Sequence, residues 1–329
     1  MTLNVGFAGA GGIAELHMSI LEKIDDVRVT AICDVDPIRA SRLAEHFGAS
    51  VHYDAVDMLA NEKLDCLYVC LPPFAHADVE VAAAERGVNL FIEKPLGLSL
   101  ERTAEKVRGL AGTDVVVAVG YHWRYFDHVN QALEMLADRP VAMVFGTWLS
   151  GMPETPWWRQ RAKSGGQLLE QNTHMVDLAR YVAGDIQSVQ AGAYQGILAP
   201  EVPNYDIDDA GAVIARFRNG VLGVFMQTDI YPGFDVGLRV FAKDLMLHMT
   251  LDGLVIHEPG KRTEIRTSND PYELEDNIFI DAVRTGDASK IRSPYDNAFG
   301  SFAATYTAGE AMRTGQTLPV PELDDILAD

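Results

Sequence analysis

The sequence predicts an α/β protein: an N-terminal doubly wound domain built on a parallel sheet, then an α+β domain with a large, mainly antiparallel sheet. Three observations predict it. From Leu3 to about His122 short apolar runs alternate with helical patterns. Beyond about Tyr125 strand-like runs follow one another with few helices between them. The length of 329 residues corresponds to two domains at roughly 150 residues each. The expected domains are 1–122 and 123–329.

In the first domain the strand-like runs are 3–10, 27–33, 65–71, 88–93 and 114–121, rich in Val, Ile and Leu with little alternation. Strands that are apolar on both sides belong to a parallel sheet covered by helices on both faces. The intervening helices have recognisable starts. Asp36 offers an N-cap with Pro37 in the first helical position, and Asp54 and Ser99 are further caps.

In the second domain a helix over 127–137 leads to a strand over 141–150, a loop rich in Pro, Trp and Gly, and a helix over 173–183. From Gln187 to about Arg266 most of the chain reads as strands, with Asn219-Gly220 as a hairpin turn because both residues tolerate positive φ. Helices over 272–285 and 297–313 close the chain. A sheet backed by helices on one face leaves the other for a partner subunit, so a homodimer or homotetramer is expected.

Composition narrows the function. Acidic residues outnumber basic ones 47 to 27, a formal charge of -20, which repels phosphate backbones and anionic bilayers and excludes nucleic acid and membrane surfaces as partners. Met1 runs directly into a strand with no basic segment, which argues against a secretory leader. No stretch of about 20 apolar residues is present to span a bilayer. The three cysteines, Cys33, Cys66 and Cys70, lie in apolar runs and read as buried thiols of a cytoplasmic protein. No zinc-like spacing surrounds them, and no metal is expected.

The first strand runs into Gly9-Ala10-Gly11-Gly12-Ile13-Ala14, a G-x-G-x-x-A turn that opens a helix with Leu16, Ile20 and Ile24 on one face. Gly9 permits the turn, Gly11 lets a pyrophosphate approach the backbone, and Ala14 allows close helix–strand packing. Phosphates would sit at the helix N-terminus, where free N–H groups and the dipole favour anions. Asp34 ends the second strand, placed to accept bonds from an adenosine ribose and to repel a 2′-phosphate. These features predict a dinucleotide-binding Rossmann domain that prefers NAD to NADP, with Arg39 as the nearby residue able to accommodate that phosphate.

Further elements then appear in order: Leu71-Pro72-Pro73 with His76, Glu93-Lys94-Pro95, His122-Trp123-Arg124, Trp157-Trp158-Arg159, Gly165-Gly166, and Glu170-Gln171-Asn172-Thr173-His174 with Asp177. Together with the glycine turn they resemble the Gfo/Idh/MocA family, which includes glucose–fructose oxidoreductase and inositol dehydrogenase, over essentially the whole chain. The resemblance implies a catalytic trio of Lys94, Glu170 and His174. Lys94 would stabilise a developing alkoxide, and His174 would exchange the hydroxyl proton. Leu71, Pro72, His76, Glu93, His122, Trp158 and Arg159 are carried over toward the cofactor. His122, Arg124 and Asn172 are carried over toward the substrate, a sugar, inositol or related polyol. Two departures are visible: where the family usually has D-x-G-x-H, this chain has Glu170 for the acid and Asn172 for the glycine.

Several of these residues have a plainer reading. His17 is expected to be a packed helix residue, and Asp177 to orient His174 or another polar group, or simply to line its helix. Two other functions fit the same residues: a sensor that binds NAD or a sugar without catalysis, and an enzyme that uses a tightly held NAD transiently.

Overall fold

The structure is a computed structural model that describes residues 2–327; Met1 and residues 328–329, at the ends of the expected domains, lie outside the described residues. The chain divides into two compact units, and both sheets are those of the expected class.

The first unit holds a parallel sheet with, among the described residues, six strands: β1 (Leu3–Ala8), β2 (Val27–Cys33), β3 (Ser50–His52), β4 (Cys66–Val69), β5 (Asn89–Ile92) and β6 (Val117–Val119). Its order, β3-β2-β1-β4-β5-β6, reverses direction between β1 and β4, the place where open α/β sheets take ligands at their carboxyl ends. The crossover helices are α1 (Gly12–Leu21), α2 (Pro37–Phe47), α3 (Ala55–Asn61), α4 (Val79–Ala84) and α5 (Leu100–Leu110). Asp36 caps α2 by accepting from the N–H groups of Ile38 and Arg39, and Asp54 caps α3 by accepting from Asp57. The short strand β3 carried no sequence signal of its own, being too brief to show a pattern.

In the second unit α6 (Asp127–Leu136) precedes the long strand β7 (Val141–Gly151), the single turn α7 (Arg161–Ser164) and α8 (Thr173–Ala183). Strands β8 (Ile186–Tyr194), β9 (Ala210–Phe217), β10 (Leu222–Thr228), β11 (Ile230–Ala242), β12 (Leu245–Thr250), β13 (Gly253–Glu258) and β14 (Lys261–Arg266) follow. They join β7 in a sheet ordered β14-β13-β12-β11-β7-β10-β9-β8, antiparallel except where β7 and β10 run together. The Asn219-Gly220 turn joins β9 to β10 with Gly220 at φ 91°. Helix α8 lies close on β7, because a side chain at Gly146 would come within 3.0 Å of Met175 Cβ.

Helix α9 (Pro271–Thr285) is the main revision to the domain layout. Residues Asp270–Asn297 belong to the first unit, so the chain returns to it after the second sheet instead of leaving it for good at residue 122. The cause is burial. Phe279, Ile280 and Ala282 enter the core around β1, β4 and β5, and Phe279 meets Tyr68 and Phe91 edge-on at 5.6 Å each. Helix α10 (Tyr295–Thr314), the strand β15 (Leu318–Pro319), which pairs with β8, and α11 (Leu323–Leu327) complete the fold.

Candidate active site

The carboxyl ends of the parallel strands carry Gly9, Asp34, Leu71, Glu93 and His122, five of the residues that the sequence marks for the cofactor. Gly9 follows β1 with φ 100°, and a Cβ there would stand 2.3 Å from the Cys70 carbonyl oxygen, so only glycine lets the loops after β1 and β4 lie this close. Ala10 is buried behind the turn and Ile13 half-buried on α1. Above Gly11 and Gly12 the space is open: a Cβ at either would meet nothing within 4 Å. An open cradle lined by backbone at the N-terminus of a ten-residue helix fits the pyrophosphate of a dinucleotide.

Asp34 fixes this turn. One carboxylate oxygen accepts from Ala10 N–H and the other from Asp36 N–H, both at 2.8 Å. Each oxygen keeps a second lone pair, so the ribose role remains open to it. Arg39 is exposed and paired with Asp36 at 3.4 Å. Val35 and Ile38, 89% and 80% exposed, follow the acid in sequence and present an apolar surface that suits a purine face. Apolar residues at the solvated start of a helix are themselves the sequence signal for such a surface.

After β4, Leu71 and Pro72 are half-buried and lead into a short turn at Pro73–Ala75. His76 faces inward: Nδ1 meets Glu80 at 2.8 Å, and Nε2 meets the Leu71 carbonyl at 3.0 Å. Lys106 reaches the same Glu80 at 3.1 Å. His76 thus braces the Leu71 loop from behind, with both ring nitrogens engaged by the chain.

Glu93 and Lys94 follow β5. The Lys94 N–H donates to Glu93 Oε2 at 3.1 Å, and Gly120 leaves room for that carboxylate, since a Cβ there would lie 2.5 Å from Oε1. His122 is buried and stacks on Tyr272 at 4.1 Å, with ring planes 22° apart. Burial, then the charges of Lys94 and His17, push its pKa down to about 3, so it is a neutral imidazole at any ordinary pH.

In the second unit, Glu170 lies within a helical irregularity and His174 just beyond it. Leu168–Asn172 form a π-helical turn that runs into α8, just ahead of the helix expected over 173–183. Such turns carry one residue more than an α-turn and recur at functional sites. Both side chains are buried, and His174 stacks on Trp148 of β7 at 5.6 Å. Asn172 spends its amide on β10, donating to Gln227 Oε1 at 3.0 Å and to the Met226 carbonyl at 3.3 Å. This anchors the π-turn to the sheet, a contact that a glycine at that position would not make.

Arg124 and Asp177 pair with each other: Nε donates to Oδ2 at 2.8 Å and Nη2 to Oδ1 at 2.5 Å. Asp177 is therefore the partner of Arg124 and of Ser301, whose hydroxyl donates to it at 2.6 Å. Of the three readings of Asp177, orienting another polar group is the one found. Arg159 donates to the carbonyls of Pro153 and Glu154, bracing the tryptophan-rich loop, where Trp157 and Trp158 meet edge-on at 5.7 Å. The cysteines are free and buried, and burial pushes the Cys33 thiol up to about 11. Among the described residues no helix is long and apolar enough to cross a membrane.

Comparison with known proteins places the chain. Residues 3–121 match the model of the oxidoreductase family with an NAD-binding Rossmann fold, Gfo/Idh/MocA, and residues 139–248 match the C-terminal domain of that family. The chain belongs to the Gfo/Idh/MocA oxidoreductase family, and it is accordingly an enzyme of the NAD-dependent dehydrogenase kind. It is 30% identical to the D-glucoside 3-dehydrogenase of Escherichia coli over 66% of this chain and 68% of that protein. It is 26% identical to the myo-inositol 2-dehydrogenase of Thermotoga maritima over 87% and 89% of the two chains. A levoglucosan dehydrogenase in complex with NADH and L-sorbose has the same fold, with a TM-score of 0.85 at 20% identity over 98% of this chain and 100% of that one.

Proposed function

We propose that the protein catalyses reversible oxidation of a secondary alcohol on a sugar, inositol or related polyol, with NAD favoured over NADP. The observation that carries this reading is the open glycine cradle clamped by Asp34 together with a lysine set immediately after β5 on a braced turn. The relatives named for D-glucosides and myo-inositol support the substrate class.

The cradle and Asp34 would hold the pyrophosphate and adenosine ribose, and a bound nicotinamide supplies the hydride acceptor. Lys94 donates a hydrogen bond and positive charge to the substrate oxygen as its proton leaves. His174, stacked against Trp148, takes that proton, and Glu170 fixes the hydroxyl. The acids Asp34 and Asp36 disfavour a 2′-phosphate, and Arg39 is drawn to Asp36. His122, being neutral, offers hydrogen bonds without a competing charge. On the sheet of the second unit, Ile214, Leu222, Met226 and Ile230 are exposed. They support a homodimer or homotetramer through that face, measurable by sedimentation. The acidic surface and buried thiols support a cytoplasmic setting.

Lys94→Ala tests the reading. Turnover is expected to fall by about a thousandfold, as for loss of a transition-state donor, while the NADH dissociation constant stays within about twofold. Unchanged turnover would remove Lys94 from the chemistry.

A further inference from the structure

His17 sits where none of the roles above uses it. It is fully buried on α1, ringed by Phe91 at 4.9 Å, Tyr68 at 5.4 Å and Tyr272 at 6.1 Å. Both ring nitrogens face carboxylates. Nδ1 lies 2.9 Å from each oxygen of Asp276 on α9, and Nε2 lies 3.2 Å from Glu93 Oε1. A neutral imidazole has a single N–H and would turn a lone pair toward one of these acids. With both acids ionised, only the imidazolium satisfies both.

We propose that His17 is a positioning residue for Lys94: its imidazolium ties Asp276 to Glu93, and the other oxygen of Glu93 holds the Lys94 N–H at 3.1 Å. This rests on the role given to Lys94 above. The chain of contacts runs from α9 through α1 to the end of β5, so the helix that returns from the second sheet sets the turn carrying the lysine. Gly120 belongs to the same arrangement, since any side chain there would displace the Glu93 carboxylate.

The groups around the ring are consistent with a fixed positive charge. Tyr68 donates to Asp276 Oδ1 at 3.1 Å. Burial works against the imidazolium, but the charge of Asp276, its hydrogen bond, and then Glu93 outweigh it and hold His17 well above its ordinary range. Glu275 is driven upward by burial, against the charge of His17 and with that of Glu93 and Asp276. Tyr272 is likewise raised, and His122 is neutral. His17, Glu93 and Glu275 also place one ligating atom each within 4.8 Å of one another, but both nitrogens of His17 already face acids at hydrogen-bond distance. That favours a hydrogen-bonded network over a metal site.

The test uses the full chain labelled with 15N in its nine histidines. One ring is expected to show both nitrogens protonated at pH 8.5. That signal should vanish in His17→Gln, and in Asp276→Asn it should titrate at lower pH. Hydrogen exchange of the Lys94 amide should speed up by about tenfold or more in His17→Gln. The kcat of His17→Gln on a polyol substrate should fall roughly 10–100-fold with NADH affinity kept, as a small misplacement of a reacting group would produce. A neutral His17 at pH 8.5, or a folded His17→Gln with wild-type Lys94 exchange and kcat, overturns the proposal. The ring and amide readings need no substrate, so they judge His17 even if Lys94→Ala leaves turnover intact, which is the separate failure of the functional reading.

Discussion

Arg124 and Asp177 form a two-bond ion pair from which water is excluded, with the guanidinium 1% and the carboxylate 0% exposed. The pair joins the segment that opens the second unit to α8, the helix that carries His174. Tyr181 lies under the guanidinium at 5.0 Å, and Ser301 of α10 donates to the same carboxylate. The pair therefore shapes the platform from which His174 projects.

Removing one partner of such a pair strands the other charge. Asp177→Ala is expected to cost about 3–5 kcal/mol, seen as a large drop in the denaturant midpoint, whereas Arg124→Leu combined with Asp177→Leu should recover much of the loss. Equal losses for the single and the double variant would show that the pair is not the source of the effect.

The glycine turn separates two kinds of defect. Gly9→Ala meets the Cys70 carbonyl at 2.3 Å in a positive-φ conformation, so both stability and NADH binding should fall. Gly11→Ala has extended backbone, φ -82° and ψ -177°, with nothing nearby, so its melting temperature should be unchanged. Its methyl group fills the cradle, and NADH affinity should drop by about tenfold or more, measurable by fluorescence titration. Full affinity in Gly11→Ala would place the pyrophosphate elsewhere.

Asp34→Ser should raise the ratio of NADP to NAD affinity by about tenfold, because it removes the charge that opposes a 2′-phosphate. The bonds that Asp34 makes to Ala10 and Asp36 would also weaken, so binding of both cofactors should fall somewhat. An unchanged ratio would take the ribose role from Asp34.

Asp229 gives a pH signature in the second unit. Burial, with a smaller contribution from Asp209 and Asp208, pushes it up to about 7 against the opposing bond from the Tyr205 hydroxyl at 3.2 Å. Unfolded, it titrates near the ordinary aspartate value of about 4. A raised folded pKa means that its contribution to stability is complete below pH about 4 and is lost as the pH rises through about 7. Asp229→Asn should therefore stabilise the protein relative to wild type at pH 8, by up to about 2–4 kcal/mol, and give no such gain at pH 4.5. Thermal melts at the two pH values decide it; the same difference at both would mean that Asp229 is ionised throughout.

Much of this fold was legible in the sequence because local and tertiary signals agreed. The apolar runs feeding Gly9, Asp34, Leu71 and Glu93 are buried on both faces, and Asp36 and Asp54 cap the helices their spacing announced. The return of α9 to the first unit was hidden, since an amphipathic helix shows that it has a buried face without showing what covers it. The π-turn at Leu168–Asn172 was hidden for a related reason: it is set by the anchoring of Asn172 to β10, a contact between residues far apart in sequence. His17 shows the same limit. Its sequence neighbours are those of a packed helix residue, and only Asp276, more than 250 positions away, gives it a charge to meet.

The most direct test of the central claim is the absorbance of reduced nicotinamide while the purified protein is offered a panel of inositols, D-glucosides, levoglucosan and sugar acids, with NAD and with NADP. A substrate-dependent rise with a polyol, faster with NAD than with NADP and abolished in Lys94→Ala, is the predicted result. No rise with any polyol under either cofactor, from protein shown to bind NADH, would contradict it.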